Sequence, residues 1–160
     1  MRDDLKDRLR ASFSGGRSPG AAPSATPGLL SPDEDFVRGF LLKADRVVVP
    51  AMLEVGRVVE RHGRFFSIER IAARQTCHGA LVPTSIQMNV FRRQHTVNFK
   101  NGAPHFNVDC DPAGRRVLFR RTTLLAGTGA EEVGTCGLDA LTRDLVQDKI
   151  AAMLDILARM

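Results

Sequence analysis

The chain has 160 residues, 43% of them hydrophobic and 26% charged, with a formal net charge of +5. These proportions exclude a wholly disordered chain, a collagen-like repeat and a disulfide-dense miniprotein, and the length suits one domain with its own core. A pI near 9.7 favours acidic partners.

No stretch approaches the about 20 apolar residues of a membrane span, so no membrane partner is expected. The first residues lack the apolar run of a secretory signal. Three cysteines without such a signal point to free thiols in a reducing, cytoplasmic setting. Tyr and Trp do not occur, so aromatic contacts fall to nine Phe.

The chain opens with MRDDLKDRLRASF, in which Leu5, Leu9 and Phe13 recur every four residues. That spacing makes one helical stripe, too short to be stable alone in water but suited to docking on a partner. In residues 11–30, fifteen of twenty are Gly, Ala, Ser or Pro. Such a segment buries too little apolar surface to offset its ordering entropy. Residues 1–30 therefore read as a disordered tail and linker carrying a docking motif, and residues 31–160 as a single α+β domain.

Ser31-Pro32-Asp33-Glu34 is a capping box with Pro at the first helical position. Apolar residues then follow at helical spacing from Phe36 to Val59, and Gly63 suits the position just past the helix end. Pro50 lies inside this run and predicts a kink or a split. An unbroken helix over 32–62 would be roughly 45 Å long. A four-stranded sheet is about 19 Å wide. Either Pro50 folds the helix back, or the overhang packs on another chain; the second gives a homo-oligomer as the expected state.

Strand signals follow. Arg64–Ile71 is a short candidate strand, and Ser85–Arg93 alternates with Ile86, Met88 and Val90 on one parity. Asn101-Gly102 is a hairpin signal between Val97/Phe99 and Phe106/Val108/Cys110. Asp111-Pro112-Ala113-Gly114 has the order of a type I turn before a strand over Arg115–Leu125. Gln75–Pro83 and Gly127–Gly137 read as loops. The last helix is expected to start at Leu138 or Thr142 and run to Ala158. The expected fold is α+β: a long N-terminal helix, a four- to five-stranded antiparallel meander and a C-terminal helix, both helices on one sheet face.

Residues 63–127 carry ten basic and three acidic groups, net +7, and residues 128–160 net −3. The positive charge thus sits in the sheet. Parity places Gln87, Asn89, Phe91, Arg93, Thr96, Asn98, Lys100, His105, Asn107, Asp109, Arg116, Leu118, Arg120 and Thr122 on the face away from the helices. From these, Asn89, Phe91, Arg93, Asn98, Lys100, Asn107, Arg116 and Arg120 form the expected partner-binding set. Guanidinium forks and amides suit carboxylates or phosphates.

Enzymatic signatures are sparse. Cys77-His78 could pair a nucleophile with a base, yet adjacent side chains on an extended segment point apart. His62, His78, His95 and His105 lack metal-ligand spacing, and a site from Cys77, His78 and His105 would need the fold to assemble it. Asp109-x-Asp111 lies in basic surroundings. Gly127-Thr128-Gly129 lacks the rest of a phosphate loop. No catalytic, metal or cofactor residues are assigned. The favoured expectation is a non-catalytic adaptor binding an acidic protein partner. Alternatives are RNA or single-stranded nucleic acid on the basic face, with Phe91 as a stacking surface, and an enzyme with a fold-assembled Cys/His site.

Overall fold

The computed structural model describes residues 31–92, 103–123 and 129–160. The expectations for the tail 1–30, for Arg93, Asn98 and Lys100, and for the Asn101-Gly102 turn lie outside these residues.

Helix α1 spans Pro32–Lys43 and opens as the capping box requires. The Glu34 N–H donates to Ser31 Oγ at 3.2 Å, and the Ser31 N–H donates to Glu34 Oε2 at 2.9 Å. A single π-helical turn, Ala44–Val48, leads directly into α2, Val49–Arg61. Pro50 therefore does not split the helix. A proline ring collides with the carbonyl four residues back and offers it no proton. The wider turn just upstream absorbs the mismatch, the Val49 N–H reaching back to the Ala44 carbonyl. The Arg46 carbonyl, which Pro50 cannot serve, lies 3.5 Å from Arg143 Nη2. Gly63, with φ 74°, turns the chain out of the helix.

Strands β1 (Phe65–Ile71), β4 (Ser85–Phe91), β5 (His105–Asp111), β6 (Arg116–Thr122) and β7 (Glu131–Cys136) form one antiparallel sheet in the order β1-β4-β5-β6-β7. Two expected loops are corrected. Gln75–Pro83 contains a small hairpin of β2 (Arg74–Gln75) and β3 (Leu81–Val82). Gly127–Gly137 contains β7, the fifth strand. A bulge opposite Phe119/Arg120 shifts its register, with φ 152° at Gly134. That insertion breaks the period-two pattern by which a strand is read. Helix α3, Arg143–Ala158, starts behind Thr142, whose Oγ1 accepts from the Leu145 N–H at 3.3 Å.

Both helical segments cover one sheet face. Ile86, Met88, Val90, Phe106, Val108, Cys110, Val117 and Phe119 from the sheet are buried with Phe40, Val48, Met52 and Val59 from the long helix and Val146, Ile150 and Met153 from α3. Phe106 and Phe119 stack at the centre, centroids 6.1 Å apart. The opposite face is left to the residues of the other parity.

Candidate functional site: the polar face of the sheet

Strand pairing sets side chains of equal parity in rows. Glu69, Gln87, Asn107 and Arg120 are cross-strand neighbours, as are Ser67, Asn89, His105 and Thr122. The amides then lock the rows together. Asn107 Nδ2 donates to Gln87 Oε1 at 3.1 Å, and Gln87 Nε2 donates to Asn89 Oδ1 at 2.7 Å. Asn89 Nδ2 donates to Ser67 Oγ at 3.1 Å and to Glu69 Oε1 at 3.2 Å. Such a chain satisfies the buried amides and holds each one in a single orientation.

Asp109 sits inside this face with no solvent exposure. Arg120 Nε donates to its Oδ2, while Oδ1 has no hydrogen-bond partner among the described residues. Burial holds the Asp109 carboxyl above its ordinary value of 3.8, against the opposing pull of Arg120 and Ser85. Asp111 behaves oppositely. The hydrogen bond from Arg116 Nε at 2.8 Å, and then the Gly114 N–H, hold its carboxyl low.

These pairs change the charge expected of the face. Arg116 and Arg120 each spend a donor on a carboxylate of their own sheet. Asn89 is fully buried and Phe91 is 2% exposed, so neither side chain is open to a partner. Phe91 pairs with Phe65 beyond the amide rows and offers no free stacking surface. Asn107 and Arg120 remain partly exposed. Leu5, Leu9, Phe13, Arg93, Asn98 and Lys100 lie outside the described residues.

A groove of about 600 Å³ opens along this face, lined by Glu69, Arg70, Arg74, Gln87 and His105 and by residues 71–73. Arg70 is held by Asp45 at 2.5 Å. His105 Nδ1 lies 2.9 Å from the Ala103 carbonyl, which can only accept, so Nδ1 carries a proton and donates. Sequence reading missed the contributions of Ser67, Glu69, Arg70 and Arg74. The alternation of Phe66 and Ile68 with Ser67 and Glu69 held the signal for the first two.

The thiols are not gathered here. Cys77 is exposed in the turn between β2 and β3, with His78 beside it, and neither lines the groove that His105 lines. Burial, and then Asp111 and Asp109, push the Cys110 thiol up to about 11. Cys136, expected in a loop, lies in β7 and is also raised by burial, with Lys43 opposing. Among the described residues, no group of three or more His, Cys, Asp or Glu is placed to hold a metal ion. No described helix is long and apolar enough to cross a membrane.

Compared with protein-family models, with curated proteins and with solved structures, the chain matches none of them.

Proposed function

We propose that this chain is a non-catalytic α+β binding module that takes an acidic protein segment in the groove on its polar sheet face and self-associates through its long helix. The groove of about 600 Å³ carries the reading, because it opens the uncommitted Arg74 beside Gln87 and His105 along one channel. Its volume suits a few side chains. Arg74 is exposed and has no carboxylate within ion-pair distance among the described residues, so its guanidinium is the donor offered to an incoming carboxylate. The overall charge of +5 supports the same sign of partner. Three free thiols support a reducing compartment such as the cytoplasm.

The test is fluorescence anisotropy with a labelled hexaglutamate peptide, a hexalysine control and a single-stranded RNA. The reading expects saturable, salt-sensitive binding of hexaglutamate alone, weakened about tenfold by Arg74→Glu (the loss of one charge-assisted contact). No binding, or equal binding by the variant, overturns it. Tighter binding of the RNA replaces it with the nucleic-acid reading, which the burial of Phe91 has stripped of its stacking surface.

A further inference from the structure

Val37, partly buried on α1, joins two surface features. One is a mostly apolar groove of about 720 Å³ between the β2–β3 hairpin and the turn after β5, with Ala73, Leu81, Val82, Pro83 and Leu118 among its lining. The other is a strip of α1 formed by Asp33, Glu34, Val37, Arg38 and Leu41. Leu81 on the rim is 81% exposed. A continuous apolar surface of this kind, with acidic groups at one end, fits an amphipathic segment.

We propose that the occupant is the chain's own N-terminal segment, residues 5–13, seated in cis with Leu5, Leu9 and Phe13 against the groove. Three observations converge on it. The spacing of these three residues puts them on one stripe if the segment is helical. The segment is tethered at the right place: Ser31 precedes Val37 by six residues, roughly 9 Å of helix. The Gly/Ala/Ser/Pro-rich residues 14–30 then give an r.m.s. reach of roughly 23 Å. Finally, residues 5–13 carry Lys6, Arg8 and Arg10 against Asp7, opposite in sign to the strip, where Asp33 and Glu34 outnumber Arg38.

A tether this short supplies an effective concentration of about millimolar, so an intrinsic affinity in the millimolar range is enough for half-occupancy. The contact is then weak enough for an outside apolar segment to displace it. The inference does not rest on the acidic-segment reading: the two grooves share Ala73 and Arg74, but the contacts invoked here are those of Leu81, Val82, Pro83 and Val37.

The test uses the full chain carrying Cys136→Ser, with a nitroxide on Cys77, the exposed thiol of the hairpin beside the groove. Cys110 is buried and stays unlabelled. Amide signals of residues 5–13 should lose most of their intensity relative to the reduced label, and those of residues 18–26 less. Leu81→Asp, at a site too exposed to disturb the core, should restore them, as should a triple Leu5→Asp, Leu9→Asp, Phe13→Asp variant. Signals of residues 5–13 no weaker than those of 18–26 overturn the proposal. So does broadening that occurs only when ¹⁵N-labelled chain is mixed with unlabelled, nitroxide-bearing chain, which would place the segment on a second copy.

Discussion

Asp109 is a carboxylate without exposure to water, facing a guanidinium whose side chain is 36% exposed. Burying one partner more deeply than the other makes the pair asymmetric: the carboxylate depends on Arg120 more than the reverse. Arg120→Leu should therefore cost about 2–3 kcal/mol at pH 7, toward the low end for a broken buried pair because water still reaches the arginine. The pH dependence follows from the direction of each shift. A carboxyl raised in the folded state binds its proton more tightly there than in the unfolded chain. Its contribution to stability is full below 3.8 and is lost as pH rises through the folded value. Asp111, held low by Arg116, contributes above the ordinary range and loses that contribution as pH falls. Asp109→Asn should abolish the decline above pH 4 and leave the Asp111 loss in acid, read from urea midpoints between pH 3 and 7. An unchanged profile would show that Asp109 titrates normally.

At the level of elements, close approach overrides local propensity. Gly56 lies in α2, where alanine would be the better helix former by about 1 kcal/mol. A Cβ there would fall among the ring atoms of Phe66 on β1. Overpacking of this kind costs about 1–3 kcal/mol, so Gly56→Ala should lower stability by about 1 kcal/mol net. The double variant with Phe66→Leu should regain part of that loss, measured by a double-mutant cycle in urea. The start of α3 is an ordinary cap by comparison. Thr142→Ala removes the hydroxyl that accepts from the Leu145 N–H and should cost about 1 kcal/mol in the same assay.

At the scale of the whole molecule, the helix from Pro32 to Arg61 is roughly 45 Å long, against about 19 Å between the outer strands of a five-stranded sheet. Leu42 on α1 is 52% exposed and Leu53 on α2 is 40% exposed. Apolar side chains left exposed along the long helix are what a second copy would cover. Light scattering on the full chain should give about twice 17.5 kDa, and Leu42→Glu with Leu53→Glu should return it to the single-chain mass. A wild-type monomer would end the self-association reading and leave the sheet-face reading standing.

Local chemistry alone determined the helix starts and the side-chain parity of the sheet. Ser31-Pro32-Asp33-Glu34 needs no tertiary partner to cap a helix. The parity that buries Ile86, Met88 and Val90 also sends Gln87 and Asn89 to the other face, and the same rule puts Asn107 and Arg120 on that face. Only the tertiary structure decided the charge and openness of that face. Whether Arg120 is free or bound to Asp109 depends on register across two strands, which no single strand encodes. Whether Asn89 meets water or Glu69 depends on β1 lying beside β4, with a hairpin intervening in the chain. The strand Glu131–Cys136 and the form of the helix distortion before Pro50, a π turn in place of a break, escaped sequence reading for one physical reason. A bulge and a π turn each insert a residue into a regular period, and the resulting strain is settled only by what packs against it.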